Sequence, residues 1–109
     1  MKFDLKKTGL ETIFKPWQIA VFNYLLEDPK IRRSSFEVWQ AVPGISRASV
    51  INFLDEMVEE GLLDYKMITG KGGWRRLYKF KPDITRIEEL KMWLYYAILK
   101  HAQNELLIP

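Results

Sequence analysis

The stretch SRASVINFLDEMVEEGLLDYKMITGKGGWRRLYKFK, residues 46–81, changes its hydrophobic period once, and that change decides the fold. From Ser46 the apolar positions Val50, Phe53, Leu54, Met57 and Val58 recur every three to four residues, as on one face of an α-helix. Ser46 can cap that helix through its side-chain oxygen, and Gly61 stands where a helix ends in the left-handed conformation. Past Gly61 the period falls to two, with Leu63, Tyr65 and Met67 alternating with Asp64 and Lys66. Thr69-Gly70-Lys71-Gly72-Gly73 is turn chemistry. After it Trp74, Arg76, Tyr78 and Phe80 take one face of a strand, and Arg75, Leu77, Lys79 and Lys81 take the other. The stretch therefore predicts a helix followed by a β-hairpin with a flexible, basic tip, closed by Pro82.

Working toward the N-terminus, Ser34 and Glu37 have the spacing of a capping box. Phe36, Val38, Trp39 and Val42 then predict a short helix stopped at Pro43-Gly44. Helix, tight turn with glycine, helix is a helix-turn-helix pattern. Earlier still, Pro16 suits a first helical position, and Trp17, Ala20, Val21, Tyr24 and Leu25 follow at amphipathic spacing until Asp28-Pro29. Ile19, Phe22 and Leu26 lie on the other side of that helix, so two of its faces need cover. Residues 1–15 read as an N-terminal tail, 16–82 as the helix-turn-helix and hairpin domain, and 83–109 as a C-terminal helix.

Thr85 and Glu88 offer a capping box for that last helix, which should run to about Leu107. It carries two apolar seams: Ile87, Leu90, Leu94, Ala97 and His101, and Met92, Tyr95, Leu99, Ala102 and Leu106. Met92 and Leu94 are two residues apart, about 200° around the helix, so one domain face does not cover both seams. One seam should pack on the first helix and the other should form a twofold subunit interface. Sequence does not choose between them, and the interface candidates are Leu94, Tyr95, Ile98, Leu99, Ala102 and Leu106. His101, the one histidine, reads as a partly buried structural residue or as a pH-sensitive group at the interface.

Composition narrows the function. The 109 residues hold no cysteine, which excludes disulfides, thiolate metal sites and a cysteine nucleophile and fits a reducing compartment. The longest apolar run, Met92 to Leu99, is far too short to span a bilayer, and the charged N-terminus has no signal-peptide core. The expectation is a cytoplasmic protein without membrane contact. Net charge is only +3, but between Tyr65 and Arg86 seven basic residues stand against one acid, Asp83. That concentration is the footprint of a phosphate-backbone binder, whereas a merely solubilising surface intersperses both signs.

The segments Ser46 to Ile68 and Gly72 to Phe80 resemble the recognition helix, following strand and wing of winged helix-turn-helix transcriptional regulators, especially the penicillinase-repressor and MarR-like groups. The resemblance covers about Pro16 to Phe80. It implies an α+β, mostly α fold: a winged helix-turn-helix with a two-stranded β wing and a long C-terminal helix. It also implies a homodimeric regulator of double-stranded DNA, in the main a repressor. In such proteins the N-terminal half of the second helix enters the major groove, which places Ser46, Arg47, Ser49 and Asn52 at base edges. Arg47 suits guanine and Asn52 suits adenine. Lys71, Arg75, Arg76 and Lys79 of the wing would grip phosphates or reach the minor groove. Trp74 either lies against a sugar or anchors the hairpin across the strands, and Ser34 and Ser35 either contact the backbone or cap their helix. Asp55, Glu56, Glu59 and Glu60 would repel phosphates and should face away from the DNA.

An enzyme needs a nucleophile, a tuned acid–base pair or a metal, and one histidine with scattered carboxylates supplies none at a recognisable spacing. Gly70, Gly72 and Gly73 lack the strand-to-helix setting and Gly-Lys-Ser/Thr ending of a phosphate loop. No catalysis, cofactor or metal is expected, and no motif names a small-molecule effector. The other reading is a winged helix used as a protein-interaction module, with the aromatic-rich last helix as its working surface.

Overall fold

The computed structural model describes residues 14–70 and 73–107, with the backbone alone for 97, 98 and 100–107. The order is α1 (Pro16–Glu27), β1 (Arg33–Ser34), α2 (Ser35–Ala41), α3 (Arg47–Glu59), β2 (Leu63–Gly70), β3 (Gly73–Phe80) and α4 (Ile87–Leu107). The three strands form one antiparallel sheet in the order β1-β3-β2.

Local chemistry sets the ends of the helices. Gln18 Oε1 accepts from the Lys15 N–H at 2.8 Å, beside Pro16 at the head of α1. Ser34 and Glu37 close the expected capping box on α2, each side chain accepting from the other's backbone N–H. The Ser46 hydroxyl accepts from the Ser49 N–H at 3.2 Å to open α3. At the far end Gly61 has φ +84°, its N–H donates to Val58 O, and the Leu62 N–H reaches back to Met57 O. This paired closure is a Schellman motif, and it needs a residue free to adopt positive φ. It drops Leu62 and Leu63 into the core and starts β2 directly beneath α3.

One hydrophobic cluster joins Val21, Phe22 and Leu25 of α1, Val50, Phe53, Leu54 and Met57 of α3, and Leu63, Tyr78 and Phe80 of the sheet. The second face of α1 is covered as its sequence requires: Phe22 is fully buried, and Ile19 and Leu26 pack partly against the cluster.

Four features differ from the sequence reading. Phe14, placed in the tail, is buried edge-on against Phe22 and Phe53, at centroid distances of 5.0 and 6.0 Å. The domain thus begins before Pro16. The wing gains a third strand, β1, which pairs Arg33 with Tyr78 and Ser34 with Leu77. The cap of α4 uses Glu89 in place of Glu88, its carboxylate accepting from the Thr85 N–H and hydroxyl at 3.1 Å each. Leu94 is a core residue, 3% exposed beside fully buried Leu90, so it is removed from the interface candidates. Ile87, Leu90 and Leu94 of its seam pack inward. Ile98, Ala102 and Leu106 carry side chains outside the described residues, as does His101. Among the described residues no helix is long and apolar enough to cross a membrane.

Candidate nucleic-acid interface

α2, α3 and the β2–β3 wing present one polar, cationic side. On α3, Arg47 and Asn52 are exposed and Ser49 is half-buried. The hydroxyls of Ser46 and Ser49 also bond each other at 2.8 Å, which fixes the first turn. Arg47 is not loose: its guanidinium lies over the Phe36 ring, 5.4 Å from the centroid. Phe36 belongs to α2, as its place in the predicted short helix requires. It lies two positions, about 200°, from Val38, and it is 42% exposed.

The wing divides its cations by face. β2 and β3 pair in register from Leu63↔Phe80 to Gly70↔Gly73, and the alternation sends Arg75 and Arg76 to opposite sides. Arg76 Nη1 bonds Asp55 Oδ1 of α3 at 3.1 Å, and its guanidinium covers the Tyr65 ring at 4.6 Å. The buried Tyr78 hydroxyl donates to the same Asp55 oxygen at 2.7 Å. Burial first, and the hydrogen bond to Asp55 second, push the Tyr78 phenol up to about 12. Asp55 therefore fastens the wing to α3, a use that its place among the helix acids did not reveal. Arg75 is exposed and forms no ion pair among the described residues. Lys79 is half-buried opposite Asp64, which itself binds Arg32 at 2.6 Å.

The remaining candidates separate cleanly. Ser34 is 5% exposed and its hydroxyl serves the α2 cap, so its place here is structural. Ser35 borders a cleft of about 470 Å³ that also meets Phe36, Arg47, Trp74 and Arg75. Trp74 stands opposite Thr69 across the strands yet remains 69% exposed, so cross-strand packing leaves most of its ring open. Lys71 lies outside the described residues. Met92, Tyr95, Tyr96 and Leu99 of α4 form an exposed stripe, 37–68% accessible, at i, i+3, i+4, i+7 spacing. Among the described residues no three His, Asp or Glu side chains gather to hold a metal ion.

A helix-turn-helix whose second helix is backed by an antiparallel wing defines the winged helix-turn-helix fold. Two solved structures share it. A possible transcriptional regulator from Methanosarcina mazei Go1 matches with a TM-score of 0.60 at 14% identity, over 85% of this chain and 77% of its own. A transcriptional regulator of the MarR family from Enterococcus faecalis V583 matches with a TM-score of 0.58 at 20% identity, over 97% of this chain and 96% of its own. No protein-family model matches the chain, and no curated protein matches it.

Proposed function

We propose that the chain is a non-enzymatic, cytoplasmic transcriptional regulator, a repressor, that binds double-stranded DNA sequence-specifically as a homodimer. The observation that carries this reading is the convergence of Arg47, from the start of α3, and Arg75, from the wing tip, on one cleft with no acid among the described residues on its walls. A helix inserted N-terminus first puts Arg47, Ser49 and Asn52 at base edges while Arg75 and Lys71 rest on the flanking backbone. The regulators named above, which share the fold, support the same reading.

Fluorescence anisotropy with a preferred site and a random duplex tests it. Arg47→Ala should weaken the preferred site about 5- to 150-fold, in line with about 1–3 kcal/mol for a bidentate base contact, with a much smaller effect on random duplex. Arg75→Ala should weaken both sequences alike. Unchanged affinity in both variants removes the recognition-helix assignment.

The exposed α4 stripe is the observation behind dimerisation, and it equally favours the second reading, a protein-interaction module. Tyr96→Glu, with Tyr96 68% exposed, leaves the core intact and should convert a dimer to a monomer by light scattering. A dimer that persists in both Tyr96→Glu and Leu99→Glu places the interface elsewhere.

A further inference from the structure

Among the described residues three arginines lie over aromatic rings, Arg33 over Tyr24, Arg47 over Phe36 and Arg76 over Tyr65, with guanidinium carbons 5.3, 5.4 and 4.6 Å from the ring centroids. Two of them are also ion-paired: Arg33 with Glu37 at 3.3 Å and Arg76 with Asp55 at 3.1 Å. Arg47 is held by its ring, with no carboxylate within ion-pairing distance among the described residues. The distinction is chemical. A carboxylate that steadies an arginine takes N–H donors from the guanidinium fork and cancels its charge, whereas a ring steadies it through the quadrupole of the π face and leaves the fork free to bond. Phe36 is itself fixed. It stands three positions before Trp39 on one face of α2, the two rings 5.8 Å apart. Trp39 Nε1 donates to Ile45 O at 2.7 Å, on the turn that leads into α3. Contacts therefore run from that turn through Trp39 and Phe36 to Arg47, the first residue of α3. Phe36 is 42% exposed and lies outside the hydrophobic core, so core packing does not account for an aromatic here.

We propose that Phe36 is a positioning residue for DNA recognition: its ring holds the Arg47 guanidinium at the head of α3 with the donor fork free, so that Arg47 meets a guanine edge already ordered. The inference rests on the DNA-binding reading above. An arginine free to sample its rotamers loses that freedom on binding, and one parked over a ring has lost part of it beforehand. A bidentate fork reads a base by angle as well as by distance. The benefit of holding it therefore falls on the guanine site and vanishes on sequences where Arg47 has no guanine to meet. Phe36 is thus a specificity determinant that acts through Arg47.

The test combines proton shifts of the full chain without DNA and duplex affinities by anisotropy on the preferred site and on random duplex. In the free protein the Arg47 δ-methylene protons should resonate upfield of their position in Phe36→Leu, because the ring current shields what lies over its face. Phe36→Leu, at an exposed site, should leave the urea midpoint unchanged. It should weaken the preferred site about three- to tenfold and random duplex by less than about twofold. Phe36→Tyr keeps the ring and should bind the preferred site within about twofold of the parent. In the Arg47→Ala background Phe36→Leu should have no further effect, because the partner through which it acts is gone. The proposal is overturned if Phe36→Leu weakens binding equally with and without Arg47, or if the parent shows no upfield shift at Arg47. A preferred site that Arg47→Ala weakens and Phe36→Leu does not removes the role of Phe36 alone. A parent that shows the upfield shift and binds no duplex removes the DNA-binding reading, and this role with it, while the contact itself stands.

Discussion

Raising monovalent salt from about 50 to about 200 mM should lower the affinity of the proposed dimer for duplex DNA by about 10⁴- to 10⁵-fold, because counterion release governs a backbone-dominated interface. With about four or five phosphates neutralised per subunit, the log–log slope is near −7 to −9. The chain as a whole carries +3, so the slope comes from where the cations sit. The wing supplies them unevenly. Arg75 is unpaired among the described residues, and replacing it with alanine should flatten the slope by about two units for a dimer, one per subunit. Arg76 is held by Asp55 and Tyr65, so its removal should flatten the slope less. A measured slope shallower than about −3 for the parent, or Arg76→Ala flattening it more than Arg75→Ala, sinks this distribution of phosphate contacts.

What the sequence discloses and what it hides follow from range. α1, α2, α3 and the wing were legible because period and caps act over three to eight residues: Ser34 with Glu37, Ser46 with Ser49, Gly61 at the Schellman turn. β1 was not, because two residues carry no period and its partners Leu77 and Tyr78 are more than forty positions away. The latch of Asp55 on Arg76 and Tyr78 spans 21 and 23 positions, so the helix acids looked alike until packing singled one out. The seams of α4 were legible as two apolar faces, but their assignment needed the core, which takes Leu90 and Leu94 and leaves Met92, Tyr95, Tyr96 and Leu99 outside. The wing's basic character was read correctly, and its division between a fastened Arg76 and an open Arg75 follows only from the sheet register and the placement of α3.

Phe53→Ala should destabilise the fold by about 3–5 kcal/mol, a large share of the roughly 5–15 kcal/mol that holds a domain of this kind together. Phe53 is 3% exposed and lies within 6.0 Å, centroid to centroid, of three other rings: Trp17 at 5.4 Å, Phe22 at 5.5 Å and Phe14 at 6.0 Å. The Trp17 and Phe14 contacts are edge-on, a geometry worth more than the area it buries. Removing the central ring strands the other three around a cavity, and these residues come from two separate elements, α1 and the segment before it, so no single shift refills the space. Urea unfolding followed by circular dichroism reads the loss as a lower midpoint at unchanged slope. Trp74→Ala is the internal comparison: the same chemistry of loss at a site 69% exposed should move stability by no more than about 0.5 kcal/mol. The effect reaches function through the helix itself, because Phe53 anchors the inner face of α3 while Arg47, Ser49 and Asn52 hold its outer one. A Phe53→Ala protein that unfolds like the parent would mean that α3 is held by something other than this aromatic cluster, and the placement of α3 would have to be argued again from Leu54 and Met57.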